Sequence, residues 1–240
     1  MIVLHDVVKT FRIRHTKSMK ETVVAALKRK TLSTPFRAVD GVSFEVGEGE
    51  SVALMGANGS GKSTTLKMIS GVQQPTSGWI RTRGRVAGLL EVGAGFHPNL
   101  TGRENVYLNA AILGMSKQET DERFGDIVEF AGIGEFLDTE VRRYSSGMRS
   151  RLGFAVAVHT RVDVLLVDEV LSVGDAAFRA KCDDKMQELR GQGKTIFVVS
   201  HNINTVKKLC DRGIVLKKGK KIYDGPIEGA AELVAPPKKK

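Results

Sequence analysis

No apolar run in this 240-residue sequence approaches the roughly 20 residues that a membrane-spanning helix requires. The longest, such as Val162–Val167 around Asp163, suit a buried strand. The opening Met1-Ile2-Val3-Leu4-His5-Asp6 lacks a basic segment leading into a long apolar one, so no signal peptide is expected. Cysteine is scarce. Cys182 and Cys210 are well separated in helix-like segments and are expected to pack as small apolar groups in a reducing compartment, without a disulfide. No internal repeat is present. Acidic residues are in deficit, with 27 Asp and Glu against 37 Lys and Arg, a net charge of +10. The deficit is local: Arg12, Arg14, Lys17, Lys20, Lys28, Arg29, Lys30 and Arg37 face Glu21 alone. Lys217, Lys218, Lys220 and Lys221 form a second cluster, and residues 235–240 read as a disordered basic tail. Such a balance suits an anionic partner, whether nucleic acid, a membrane face or a phosphorylated substrate, although any one cluster is equally a solvated face.

What is present is a hydrophobic fraction of 41%, enough for one large α/β domain. The most informative stretch is Gly56-Ala57-Asn58-Gly59-Ser60-Gly61-Lys62-Ser63-Thr64, which fits G-x-x-x-x-G-K-[S/T]. Glycines let successive backbone N–H groups close on a phosphate. Lys62 adds a point charge for the outer phosphates, and the Ser63 hydroxyl suits Mg²⁺. Glu50–Met55 before it reads as a buried strand, and Thr64–Ile69 after it as a helix closed by Gly71. Strand, glycine loop and helix together aim a helix N-terminus at an anion.

Around this unit the chain alternates. Strands are expected at Ile2–Val8, Val42–Val46, Arg85–Leu90, Val162–Asp168 and Thr195–Ser200, with helices at Ala176–Arg190 and Asn202–Leu209. Gln74–Gly78 is turn chemistry. Thr101-Gly102-Arg103-Glu104 and Ser116-Lys117-Gln118-Glu119 both fit capping boxes and open a helical block that runs to about Tyr144, with stops at Gly114 and Gly132. Ile214–Leu216 and Lys221–Tyr223 form a closing hairpin. The expectation is a parallel sheet with a helical lobe, binding phosphate at the carboxyl ends of its strands.

Three further features accompany the phosphate loop. Val164–Val167 ends in Asp168 and Glu169, which a strand sends to opposite sides. One carboxylate then suits Mg²⁺ and the other a water beside the terminal phosphate. His201 follows a second strand end. Tyr144-Ser145-Ser146-Gly147-Met148-Arg149 opens another helix whose N-terminus suits an anion and which, taken alone, is an ordinary N-cap.

The order of Gly56–Thr64, Ser145–Gly147, Asp168–Glu169, Ser172–Asp175 and His201 resembles the ATP-binding subunit of ABC transporters across nearly the whole chain. The resemblance implies an α/β P-loop ATPase core, with a mixed, mostly parallel sheet and flanking helices, a helical subdomain at about 101–158 and a small antiparallel β part. It implies one domain over 1–234, with a basic insertion at about 12–37. It implies ATP and Mg²⁺ as cofactors and two copies arranged head to tail. Gly56, Asn58, Gly59, Ser60, Gly61, Lys62, Ser63 and Thr64 would hold ATP, with Ser63 and Asp168 at the metal. Glu169 would be the base and His201 the γ-phosphate sensor, with Lys62 supporting catalysis. Ser145, Ser146, Gly147 and Asp175 would meet the nucleotide of the other copy. Phe11 is the expected adenine-stacking aromatic, with Phe36 as its rival.

Two departures narrow the resemblance. The usual L-S-G-G-Q is Y-S-S-G-M here, and the coupling glutamine is replaced within Leu89-Leu90-Glu91-Val92-Gly93-Ala94-Gly95-Phe96-His97-Pro98, where Glu91 is its counterpart and a further candidate near the metal. With Gly102-Arg103-Glu104-Asn105, this run is similar to the branch that exports lipid-linked polysaccharides of the O-antigen, teichoic acid or cell-wall galactan type. The implied partner is a separate integral-membrane permease, and the implied place is peripheral, at the cytoplasmic face of the cell membrane. The basic segment also resembles an insertion of that branch. There Met19, Val23, Ala26 and Leu27 share a helical face, which suits either an anionic lipid surface or glycan pyrophosphate, or packing on its own domain. No carbohydrate-binding domain is expected after Lys240. Two alternatives share the ATP chemistry: an importer motor, and a soluble clamp on nucleic acid or ribosomes. The second is disfavoured by the single motor unit, so nucleic acid is not the expected partner.

Overall fold

A computed structural model of the chain describes residues 1–14, 33–88, 95–168, 174–200 and 202–235. Two sheets organise it. β1 (Ile2–Arg14) pairs antiparallel with β2 (Ser33–Val46) and, through its first half, with a later strand. β3 (Ser51–Met55) is buried at every residue, as a central parallel strand covered on both faces should be. It leads through the glycine loop into α1 (Lys62–Ile69).

The next segment departs from expectation. The turn chemistry ends at Thr76, and Ser77–Thr82 is β4, completing a sheet of order β2-β1-β4. Its side chains are almost all exposed, so it carries no period-2 apolar signal and is held by backbone pairing. Gly78 is required there: its φ is +76° and a Cβ would strike the carbonyl oxygens of His5 and Asp6. β1 and β2 also run past the strands expected from pattern. Phe11 lies opposite Phe36 and Arg14 opposite Ser33 in a two-stranded ribbon, so the basic segment begins and ends in strand. Its helical face at Met19, Val23, Ala26 and Leu27 lies outside the described residues.

β5 (Val86–Gly88) follows, then the helical block. α2 (Gly102–Ile112) and α3 (Lys117–Ala131) open with both expected capping boxes, and Gly132 closes α3 in a left-handed conformation. Beyond Gly132 the chain forms only short 3-10 turns at Gly134–Phe136 and Val141–Arg143, not continuous helix. Then come α4 (Ser146–His159), β6 (Val164–Val167), α5 (Ala176–Gly191), β7 (Thr195–Val199), α6 (Ile203–Leu209), β8 (Arg212–Lys217) and β9 (Lys220–Pro226). A final helix, α7 (Ile227–Val234), was not legible in the pattern.

The second sheet has the order β5-β6-β7-β3-β8-β9, parallel except for β9. One apolar core joins the antiparallel sheet, α1 and one face of the central strands, from Ile2 and Phe44 to Phe197 and Leu216. Another joins the opposite face to α4–α7 through Phe154, Phe178 and Ile196. A third, around Val106, Ile127 and Leu152, belongs to α2, α3 and α4. Cys182 and Cys210 are free and buried, and burial pushes each thiol up to about 12. Among the described residues, no helix is long and apolar enough to cross a membrane.

Candidate functional site

Three neighbouring parallel strands deliver the chemistry to one edge. β7 lies between β3 and β6, with Leu54 level with Val199 and Val167 level with Val198. The carboxyl end of β3 continues into Gly56, that of β7 into Ser200 and that of β6 into Asp168. This is the strand edge at which such sheets bind ligands.

The loop after β3 is held by its backbone. Gly56, Gly59 and Gly61 have φ of +145°, +75° and +109°. A Cβ on Gly56 would strike the Leu216 carbonyl oxygen, and one on Gly61 the Ala38 carbonyl oxygen. Glycine is therefore demanded twice, by conformation and by close approach. Ser60 N–H donates to Ala57 O at 3.1 Å, and Gly219 N–H donates to Ser60 O at 3.0 Å, pinning the loop to the β8–β9 turn. The Lys62 ammonium curls over the loop, donating to Gly56 O at 2.8 Å and Ala57 O at 3.1 Å.

α1 begins at left-handed Gly61 with no side-chain cap. Its first N–H groups are thus left to a ligand. Asn58, Gly59 and Ser63 are exposed, Thr64 is half-buried, and Ser60 Oγ is a buried hydroxyl without a hydrogen-bond partner among the described residues. A cradle that Cβ atoms would fill, an uncapped helix start, an exposed hydroxyl at Ser63 and a carboxylate at the end of β6 fit a Mg²⁺-nucleotide donor set.

The second helix start is built differently. Ser145 is the N-cap of α4, and its Oγ accepts from Met148 N–H at 3.1 Å. Ser145 and Ser146 are exposed and Gly147 half-buried. α4 bridges two cores: Leu152, Ala155 and Val156 pack in the helical lobe, and Phe154, Ala157 and Val158 in the central core. Tyr144 just before it is buried, and its hydroxyl donates to Phe136 O at 2.7 Å. Burial pushes its phenol above the ordinary value of 10, which keeps the donor protonated. Asp175 caps α5 by accepting from Phe178 N–H at 2.9 Å, next to Gly174 at φ +78°.

Phe11 and Phe36 are directly opposed on the β1–β2 ribbon, 37% and 47% exposed, so the two rival aromatics share one ribbon face. The Lys9 ammonium lies 5.5 Å from the Phe11 ring centre. The structure thus brings the glycine loop, Lys62, Ser63 and Asp168 to one strand edge and sets Ser145–Gly147 at the head of the lobe helix. Glu91, Glu169 and His201 lie outside the described residues.

Pattern reading missed three supports. The Ala38 and Leu216 carbonyls that press on the loop belong to other strands and leave no local signal. Asn105 is fully buried and its Nδ2 donates to the carbonyls of His97, Leu100 and Thr101, while its Oδ1 accepts from His97 N–H. Asn105 stands in the Gly102–Asn105 run, but its signal for this supporting role was a polar residue on an otherwise core-facing helix side.

Comparison with known proteins agrees with this geometry. The chain is 50% identical over 198 residues to the O-antigen export system ATP-binding protein RfbB of Klebsiella pneumoniae, covering 82% of this chain and 80% of that one. It is 44% identical to the teichoic acids export ATP-binding protein TagH of Enterococcus faecalis, over 85% of this chain but only 48% of that relative's length. The dimeric structure of MJ0796, a bacterial ABC transporter cassette, superposes with a TM-score of 0.76 at 25% identity, covering 95% of this chain and 99% of that one. Residues 39–172 match the ABC transporter family, and with a glycine cradle, a strand-end aspartate and a serine-capped lobe helix in place, the chain belongs to that family of ATP-binding proteins.

Proposed function

We propose that this chain is the ATP-hydrolysing motor subunit of an exporter that moves lipid-linked polysaccharide of O-antigen, teichoic acid or galactan type across the cytoplasmic membrane. The observation that carries this reading is the 50% identity to an O-antigen export ATP-binding protein across 82% of the chain. In this reading two copies face head to tail. The Gly56–Thr64 cradle and Lys62 of one copy hold the phosphates of ATP, and Ser145, Ser146, Gly147 and Asp175 of the other close over them. Phe11, opposite Phe36, stacks on the adenine. Ser63 and Asp168, with Glu91 as a further candidate, would hold Mg²⁺, which would neutralise phosphate charge when bound.

Glu169 orients and deprotonates the attacking water, and His201 contacts the γ-phosphate. The bare N-terminus of α1 and the lobe helix of the opposite copy stabilise charge spread over the transferring phosphoryl group, which is the main rate term. A separate permease rides on the pair at the cytoplasmic face. The basic 12–37 segment reaches anionic lipid or glycan pyrophosphate. In this reading one domain spans 1–234, with its helical subdomain at about 101–158.

Co-expression with a multi-span membrane protein, if one is encoded beside this chain, tests the reading. Co-purification in equal subunit numbers, with ATPase activity raised by the lipid-linked glycan, is expected. Failure to associate, together with salt-sensitive binding of DNA or RNA by the isolated chain, would overturn it.

A further inference from the structure

The residue ahead of Ser145 is unlike the apolar residue that opens the common signature, and its surroundings give it a task. The strap 136–142 is stitched to the segment 98–103 by backbone hydrogen bonds. Arg142 N–H donates to Pro98 O at 2.8 Å, Val141 N–H to Leu100 O at 2.9 Å, Gly102 N–H to Thr139 O at 3.1 Å and Arg103 N–H to Leu137 O at 2.9 Å. Thr101 and Glu140 form an antiparallel bridge between the two segments. Asn105 clamps the turn that enters this ladder. Tyr144 closes it: its hydroxyl is tied to Phe136 O, and its ring end lies against Gly102 so closely that a Cβ at 102 would collide with the hydroxyl oxygen. Gly102 is the first residue of α2, and it is not among the positive-φ glycines. Its lack of a side chain therefore answers to Tyr144, not to backbone conformation.

We propose that Tyr144 is a positioning residue: wedged on Gly102 and bonded to Phe136, it locks the head of the Ser145 helix to the 98–103 segment that follows the Glu91 run, so that a displacement there moves Ser145. The inference rests on the reading that Ser145 completes the nucleotide site of the opposite copy. Phe at position 144 would keep the ring but lose the tie, leaving Ser145 less well aimed while the phosphate cradle stays intact.

The sign of one substitution makes this testable. Helix propensity alone says Gly102→Ala is stabilising; the wedge says it is damaging. Full-length Tyr144→Phe, Gly102→Ala, the double variant and Ser145→Ala are compared for ATP turnover and for affinity of the monomer for a fluorescent ATP analogue. Tyr144→Phe is expected to lower turnover about fivefold, in line with one lost hydrogen bond, with monomer affinity within about twofold. Gly102→Ala is expected to lower turnover more than about tenfold, as overpacking does.

In the double variant the hydroxyl is gone. The ring carbon that bore it and the Leu137 carbonyl oxygen remain at 3.1 Å from the new methyl. Small shifts relieve contacts of that length, so the double variant is expected to match Tyr144→Phe instead of multiplying the two losses. Multiplied losses, a neutral Gly102→Ala, or a Tyr144→Phe protein that loses monomer affinity along with turnover would overturn the proposal while Ser145→Ala remains impaired. Normal turnover by Ser145→Ala would instead overturn the shared-site reading, and the proposal with it.

Discussion

The N-termini of α1 and α4 are built in opposite ways. α1 starts at a half-buried, left-handed glycine with no side-chain cap on its N–H groups, pressed against the Ala38 carbonyl of β2. α4 starts at an exposed serine whose hydroxyl already accepts from its own helix. A glycine cap in place of a serine cap costs only about a few tenths of a kcal/mol, and it leaves the first N–H groups open to an anion. At α4 the hydroxyl oxygen caps the helix and its proton remains free to donate. The difference teaches a division of labour: the first start presents backbone N–H groups and is backed by the core under the two sheets, while the second presents one side-chain group on a helix that bridges the lobe core and the central core.

Breaking the first grip should have the largest effect. Lys62→Ala is expected to reduce ATP turnover below about a hundredth of the unaltered rate, the scale of losing a preorganised charge at a transferring group, measured by phosphate release. Gly61→Ala comes next. It forces a side chain into φ +109° and into the Ala38 carbonyl oxygen. A loss of about 3 kcal/mol of stability and of ATP binding by the monomer is expected, by denaturant titration and calorimetry.

Ser145→Ala sharpens the contrast. It should cost about 1 kcal/mol of stability through the lost cap and lower turnover about tenfold, yet leave ATP affinity of the monomer unchanged. Equal loss of affinity in Gly61→Ala and Ser145→Ala would erase the distinction between the two starts.

The smallest effect concerns the seam at the other end of α4. His159 Nδ1 donates to Ala155 O at 2.7 Å, and its ring meets Phe130 edge-on at 5.3 Å. Arg123, Asp126, Glu129, Lys181, Asp184, Lys185 and Glu188 line the same groove. Burial leads the causes that lower its affinity for a proton below the ordinary 6.5, with Lys185 and Arg123 acting in the same direction against Ala155 O and Asp126. The unfolded chain then binds more protons between the depressed value and 6.5, so stability rises with pH through that window and is lost as pH falls through it. A melting temperature that drops on acidification below 6.5, and a shallower drop in His159→Gln, is the expected outcome by calorimetry.

The grip itself was legible in the sequence because each part is local. Gly56–Thr64 carries its spacing in nine consecutive residues, the capping boxes at Thr101 and Ser116 in four each, and β3 in an unbroken buried run. β4 was not legible, since a strand with exposed side chains on both faces leaves no apolar alternation, and its pairing with β1 is a backbone matter. The ribbon beyond Val8 was hidden by its basic and aromatic content, which reads as an insertion. The Tyr144–Gly102 wedge joins residues 42 positions apart, and neither carries a mark of the other in composition or period.

The claim on which the account turns is that two copies share each nucleotide. A structure of Glu169→Gln protein with ATP and Mg²⁺ tests it most directly. The account predicts two copies enclosing two ATP molecules, the γ-phosphate of each between the α1 N-terminus of one copy and the Ser145 hydroxyl of the other. ATP held by a single copy, or by a pair whose Ser145 hydroxyls face solvent, would contradict it.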